Sequence, residues 1–442
     1  MSSPHIQSVS VATEATFGSI GATGAPDASG LPYVSGPVLR APAFAAVGEP
    51  ELTERPDARD GPHIYPPDYA TTRDNATGLL RPRRPAVVSV TLPLETIGAG
   101  GGAITGFDLS MLGRILSSAM SAPALPGAST DPNPAAVGAN QFTPSIPAAD
   151  FLAGGLFGVA TADHTMEYSG VVNSAGANVE HSPALSVGVA APLTVQLLRT
   201  WSVDNRFAVG AASSLAFRLD GHGWRYYAVG GRLQALSIAS NGRRLDATCT
   251  IQFADSYQAH ADAAVVGGTN IVEPTRMDGG PAFSLGARTV VSSATVNAVT
   301  APAALGSTEI LLDEWSVNCT WTLGPQRSSN AIGSTDLEVT DFDVEVTAFA
   351  SVAPAAAPAH LDNGLMDGDQ YSLILAASGG GAGRGSCVYL PAATFRSTDP
   401  ALRDASGDII RYPLTFGAGR WAGDVGTSSP ANTVFRLGLA GP

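Results

Sequence analysis

The segment EWSVNCTWTL, residues 314–323, shows most clearly which secondary structure dominates this chain. Its apolar side chains are Trp315, Val317, Cys319, Trp321 and Leu323, and they alternate with Glu314, Ser316, Asn318, Thr320 and Thr322. Successive side chains of a β-strand point to opposite faces of the sheet. A period of two therefore predicts a strand that has one face on a core and the other in polar surroundings.

The same period recurs along the chain beyond residue 180. Its apolar members are Leu193, Val195 and Leu197, then Leu215, Phe217 and Leu219, then Ala247, Cys249, Ile251 and Phe253, and finally Ile410, Tyr412, Leu414 and Phe416. This alternation is typical of antiparallel sheets. The chain is therefore predicted to be mainly β, an antiparallel β-sandwich or barrel with one short flanking helix and long loops.

One predicted strand changes phase. Leu337 and Val339 are apolar at odd positions, whereas Phe342, Val344 and Val346 are apolar at even positions. An extra residue at a β-bulge near 340–341 explains the shift.

Past the predicted bulge, Asp341, Asp343 and Glu345 share one strand face, roughly 6–7 Å apart. Like charges this close repel one another. Three interpretations stay open: a solvated outer face, a metal site without the D-x-D-x-D-G loop of calcium proteins, and a face kept negative toward a passing polyanion.

The remaining chain divides into three predicted regions. Residues 1–85 hold 12 of the 32 prolines and indicate an extended arm docked on another subunit. Residues 86–200 form a first β-rich half, with a helix near 108–120 in which Leu112, Ile115, Leu116 and Ala119 recur at helical spacing and Asp108 caps the first turn. Residues 201–442 form a second β-rich half that contains a long loop over 256–282.

Composition and charge narrow the class of protein. The net charge is −14, and every one of the 24 basic residues is Arg. Binding to nucleic acid requires clustered basic residues, so an acidic chain does not fit that role. The start of the sequence shows no signal peptide, no apolar run is long enough to span a membrane, and three distant cysteines fit reduced thiols in a cytoplasm.

The motifs of common enzymes and cofactor sites do not occur in the sequence. It has no H-E-x-x-H, no Gly-x-Ser-x-Gly elbow, no Walker loop and no G-x-G-x-x-G. The Gly-rich stretch 379–385 lies between two predicted strands, where a turn is expected instead of a phosphate cradle. We expect a protein that is not an enzyme and needs no cofactor or metal.

Five segments follow one another along the chain: VATEATFG at 11–18, the helix at 109–120, the strand pair within 227–253, CVYLP at 387–391 and YPLTF at 412–416. Together they resemble the tail tube proteins of long-tailed bacteriophages of the siphophage type. The resemblance lies in their order over some 400 residues.

The resemblance implies a structural virion protein that is made in the host cytoplasm. Its copies would form hexameric rings, or trimeric pseudo-hexameric ones, stacked into a tube that double-stranded DNA crosses without specific binding. The implied partners are the terminator, tape measure and tip proteins of the tail, and no membrane. Asp341, Asp343 and Glu345 are expected to line the lumen, and Ala259, His260, Val265, Val266 and Asn270 to contact the next ring.

A different class of β-sandwich stays open: a fibre, decoration or glycan-binding adhesin module. That alternative requires Trp315 or Trp321 to be exposed as a stacking platform, whereas the strand alternation predicts that both lie in the core.

Overall fold

The computed structural model of the protein describes residues 6–14, 17, 39–40, 46–47, 51–52, 85–94, 111–121, 130–132, 134, 136–137, 141–160, 166–175, 177–182, 194–204, 214–221, 224–240, 245–260, 283–292, 304–311, 314–327, 334–350, 370–379, 385–397, 402–403, 410–419 and 432–440. These residues contain one α-helix, α1 at Met111–Leu116, and a 3₁₀ turn at Ala148–Asp150. The strands are β1 Ile6–Thr13, β2 Leu39–Arg40, β3 Ala46–Val47, β4 Glu51–Leu52, β5 Ala86–Pro93, β6 Thr130–Asp131, β7 Ala136–Val137, β8 Gln141–Thr143, β9 Leu156–Ala160, β10 Met166–Ala175, β11 Asn178–Ser182, β12 Val195–Asp204, β13 Leu215–Gly221, β14 Trp224–Ser240, β15 Leu245–His260, β16 Phe283–Ser292, β17 Ala304–Leu311, β18 Glu314–Arg327, β19 Ser334–Ala350, β20 Gln370–Gly379, β21 Gly385–Ser397, β22 Leu402–Arg403, β23 Ile410–Ala418 and β24 Thr433–Ala440.

The predicted mainly-β fold is confirmed, and its pairings are antiparallel. A first sheet has the strand order β5–β15–β14–β18–β19–β23. Its centre consists of two long hairpins, β14–β15 and β18–β19, which join through Ala235–Ala239 of β14 and Ser316–Thr320 of β18. The first half of β14 pairs instead with β13, which in turn pairs with β1.

A second sheet has the order β17–β16–β20–β21–β24–β12, and its strands β20, β21, β24 and β12 face the first sheet. β23 pairs with both β19 and β21, so it joins the two sheets along one side of the sandwich. The main core lies between them, where Trp321 contacts Phe342 and Phe342 contacts Phe435, at ring-centroid distances of 5.0 and 6.2 Å. This aromatic series links β18 and β19 of the first sheet to β24 of the second.

The second sheet is buried on both faces. Val388 and Leu390 of β21 belong to the main core, whereas Cys387 and Tyr389 belong to a second core. That second core lies under β8, β9, β10 and β11 and the 3₁₀ turn, with Phe157 fully buried near its centre. The strands β8 to β11 and the 3₁₀ turn therefore continue from β12, with which β9 pairs, and form a third layer over the second sheet. Among the described residues, no such layer covers the outer face of the first sheet.

The helix α1 lies where β14 changes its pairing partner from β13 to β18. The four residues that predicted it, Leu112, Ile115, Leu116 and Ala119, are buried. Arg114 Nη1 donates to Thr13 Oγ1 of β1 over 2.7 Å, and Ser118 Oγ accepts the Leu233 N–H of β14 over 3.1 Å. The helix is confirmed within the predicted range but is shorter, and Asp108 lies outside the described residues.

The predicted β-bulge in β19 is confirmed. Thr322 pairs with Asp341 and Leu323 pairs with Val339, so Thr340 is the extra residue. Thr340 Oγ1 donates to the Thr322 carbonyl over 3.1 Å.

Two expectations from the sequence need correction. Residues 6–14 are not part of an extended arm, because β1 pairs with β13 of the same chain and Val9 and Val11 lie in the main core. The second correction concerns β12, where Gln196 does not face polar surroundings but is 1% exposed. β6 and β9 both pair with β12 at Gln196, and residues on both faces of β12 are buried. The predicted domain boundary at 200/201 lies inside β12.

Candidate functional site

The outer surface of the first sheet is a broad polar face. We define this polar face by the following half-buried or exposed side chains: Ser89, Thr91, Ser237, Asp246, Thr248, Thr250, Gln252, Ser316, Asn318, Thr320, Thr322, Asp341, Asp343, Glu345, Thr347, Thr394, Arg396 and Thr415. On each strand they alternate with buried core residues. Most are short hydroxyl side chains, so the face is polar without carrying many charges.

Members of the polar face align in rows that cross the strands. One row runs through Thr91, Thr248, Ser237, Asn318 and Glu345 on five successive strands. The hydroxyl oxygens of Thr91 and Thr248 are 3.0 Å apart, and Ser237 Oγ donates to Asn318 Oδ1 over 2.7 Å. Cross-strand pairs of this kind stabilise antiparallel sheets, and they hold the short side chains close to the sheet.

Asp341, Asp343 and Glu345, which we call the acidic strip, lie side by side on β19 within the polar face. All three are exposed, and the residues between them on the strand are buried. Their common orientation follows from the bulge at Thr340, after which odd-numbered side chains face outward. The structure therefore brings the three predicted residues together on an open surface. Among the described residues, no group of three His, Cys, Asp or Glu side chains is arranged to hold a metal ion.

A cation that no sequence motif indicated contacts the acidic strip. Arg396 of β21 lies on the polar face with its Nη2 3.3 Å from Asp343 Oδ1 and its Nη1 3.9 Å from Glu345 Oε2. It is the one cation among the residues that define the polar face. Arg396 is 53 positions from Asp343 in sequence and on another strand, so no local pattern could have predicted the pair.

Gly417 of β23 makes this contact possible. In the row that contains Glu345, Gly417 pairs with Glu345 on one side and with Thr394 on the other, so it lies directly between β19 and β21. A Cβ at this position would collide with Nε, Cζ and Nη2 of Arg396. The Arg396 guanidinium therefore lies directly over the glycine, next to the two carboxylates.

The residues predicted to contact the next ring are Ala259, His260, Val265, Val266 and Asn270. Ala259 and His260 do not belong to a loop, because they lie in β15 and pair with Arg225 and Trp224 of β14. The strand continues past residue 255 because its partner β14 is equally long and provides backbone partners to the end. The other three lie outside the described residues, as does the loop expected over 351–369.

Trp315 and Trp321 are both buried, with exposures of 3% and 1%. Their indole Nε1 atoms have no hydrogen-bond acceptor in the described part of the chain. Both side chains therefore contribute to the core through their size, and neither offers a surface on which a sugar could stack. The glycan-binding alternative loses its main support.

The three cysteines are buried free thiols, as the strand alternation predicts for Cys249 and Cys319. Burial raises the pKa of Cys249 to about 12 and also raises the pKa of Cys387. Burial, with the nearby charge of Asp343, raises the pKa of the Cys319 thiol well above its usual value. A thiolate is the reactive form of cysteine, so none of these thiols is activated as a nucleophile.

We expect the folded protein to resist thiol modification. In a maleimide reaction at neutral pH, Cys249, Cys319 and Cys387 should stay unmodified in the native chain and should all react in denaturant. Because the pKa of Cys249 is higher in the folded state than in the unfolded chain, its contribution to stability is complete below about pH 9 and is lost as the pH rises toward 12. Rapid native labelling, counted by mass spectrometry, would contradict this assignment.

A serine–histidine contact lies in the second core. Ser169 Oγ and His181 Nδ1 are 3.1 Å apart, and the imidazole packs against Phe142 and Phe157. Ser169 is 0% exposed and His181 4%. A nucleophile–base pair must reach its substrate, so this contact is a packing feature of the third layer.

Glu14, within the N-terminal segment that carries the family resemblance, has a structural role. Its carboxylate is 6% exposed and accepts the Ser214 hydroxyl over 2.6 Å and the Gly230 N–H over 2.8 Å. Gly230 has φ 68°, a left-handed conformation that glycine adopts readily. Gly230 interrupts the pairing of β14 with both β13 and β15. Glu14 therefore supplies the acceptor for the Gly230 N–H that the strand ladder does not supply.

No model of a known protein family matches the chain, and no curated protein matches it as a relative. The described part of the chain contains no helix that is long and apolar enough to cross a membrane.

Proposed function

We propose that this chain is a structural subunit of the tail tube of a long-tailed bacteriophage. Copies of it assemble into hexameric or pseudo-hexameric rings, and the rings stack into the conduit through which DNA leaves the virion. The polar face lines the lumen. The observation that carries the proposal is this broad, open sheet surface of short hydroxyls and carboxylates, in a chain whose family resemblance is to tail tube proteins.

The layering of the fold supports this orientation. A tube wall needs one surface toward the channel and another toward the outside. The second sheet is covered on its far side by residues 141–182, which bury Phe142, Phe151 and Phe157 against it. The first sheet is the broad sheet with an open face in the described part of the chain, so it is the surface suited to a channel lining.

The chemistry of the polar face also supports a passive conduit. Duplex DNA carries a negative charge for about every 1.7 Å of its length and is held by cationic side chains. Apart from Arg396, whose guanidinium lies beside two carboxylates, the polar face offers DNA hydroxyls, which form no ion pairs, and carboxylates, which repel it. DNA can therefore slide past without binding.

Electron microscopy of the purified protein tests this function. We expect rings, and tubes once a tail initiator protein is added. Monomers that form neither, alone or with the initiator, would contradict the proposal.

Chemical labelling tests the orientation. Replacing Asp341 by cysteine introduces one exposed thiol on a background of three buried ones. In the unassembled chain this thiol should react with small and large maleimides alike. In assembled tubes it should react with the small reagent and exclude a bulky one, such as a maleimide on a protein-sized carrier. Reaction of intact tubes with the bulky reagent would place the acidic strip on the outer wall.

A further inference from the structure

We propose that Asp343 and Glu345 mask Arg396, so that the polar face presents no available cation to a polyanion that passes over it. The inference rests on the proposed function only in naming that polyanion as double-stranded DNA. The partner that the masking excludes is defined by chemistry, as a chain of closely spaced phosphates.

The position of Arg396 on the polar face supports this proposal. Guanidinium groups bind phosphates through paired N–H donors, so an unpaired arginine on this face would hold DNA. Arg396 is 40% exposed, and both of its terminal nitrogens lie toward carboxylates of β19. A phosphate must displace these carboxylates before it can bind.

The sheet leaves room for the guanidinium at Gly417. A residue larger than glycine at this position would force the Arg396 guanidinium to shift, because its Cβ would overlap Nε, Cζ and Nη2. Gly417 is buried beneath that group, although it lies on the open side of the sheet. The glycine thus lets the guanidinium lie close to the sheet, within reach of both carboxylates.

The charges around Arg396 are exposed to solvent. An exposed ion pair contributes little to the stability of a fold. The pairs of Arg396 with Asp343 and Glu345 are of that exposed kind, so stabilisation of the fold does not account for the arrangement. The pairing of Arg396 has a larger effect on DNA binding, because one free arginine would add one phosphate contact for every subunit along the channel.

The test measures binding of a short fluorescent DNA duplex to the full-length chain by anisotropy at low ionic strength. Replacing Asp343 by Asn together with Glu345 by Gln should tighten binding by about threefold to tenfold and steepen its logarithmic salt dependence by about 0.9. Gly417→Ala should also tighten binding, although it changes no charge. Adding Arg396→Gln to either variant should remove the gain.

The matched control replaces Asp341 by Asn and Glu338 by Gln. This control also removes two negative charges from β19, and neither of the two residues contacts Arg396 in the described structure. An equal gain in this control, no gain in the masking variants, or a gain that survives Arg396→Gln would each overturn the proposal. Tight binding by the unaltered chain, or its failure to form rings, would instead count against the proposed function.

Discussion

Replacing Glu14 by alanine should lower the free energy of unfolding by about 2–4 kcal/mol, because hydrogen bonds to a charged group contribute about 1.5–3 kcal/mol each. The change removes the acceptor of both the Ser214 hydroxyl and the Gly230 N–H. Gly230 is buried, so its N–H would be left unsatisfied. β1 would also lose the side chain that fixes its end against β13 and β14.

A matched variant separates the acceptor from the charge. Glu14→Gln keeps one carbonyl oxygen for the Gly230 N–H, so its loss should be about half as large. Chemical denaturation of the three proteins measures the difference. An alanine variant within about 0.5 kcal/mol of the unaltered chain, the range of ordinary surface substitutions, would show that Glu14 does not fix β1.

Replacing Trp321 by alanine should lower the free energy of unfolding by about 3–5 kcal/mol, as expected for a large aromatic residue removed from a core. Trp321 is 1% exposed, and its ring packs against Phe342 of β19. The cavity would open where the two sheets face one another, next to the contact between Phe342 and Phe435.

Two further substitutions on β18 calibrate that result. Trp321→Phe should cost clearly less than Trp321→Ala, because the indole N–H has no acceptor to lose and the ring contact with Phe342 is retained. Thr322→Ala changes the neighbouring residue on the opposite, exposed face, and it should stay within about 0.5 kcal/mol of the unaltered chain. Equal losses at 321 and 322 in thermal or chemical denaturation would contradict the assigned faces.

Sequence periodicity predicted the strands whose environment is one-sided. β18 alternates as expected because one of its faces is core and the other is the polar face. β12 shows where this reasoning stops: Gln196 looks like an outward residue, yet it is 1% exposed. Local periodicity reports the polarity of a side chain, whereas burial on the second face depends on strands that come from elsewhere in the chain.

The candidate site, like the strands, could be predicted only in part. The acidic strip follows from one strand and one bulge, both of which depend on neighbours in sequence. Arg396 and Gly417 belong to other strands, and only the pairing of β19, β23 and β21 brings them together. The extent of β15 was missed for a related reason, because the length of its partner β14 determines where it ends.

The long β14–β15 hairpin gives the fold a preferred mechanical direction. Its ladder runs from Trp224 opposite His260 to Ser240 opposite Leu245. A force parallel to these strands loads all the hydrogen bonds of the ladder in shear, so they must break together. A force across the strands breaks the hydrogen bonds one after another. A chain built around this hairpin resists stretching along β14 far better than peeling at its edge.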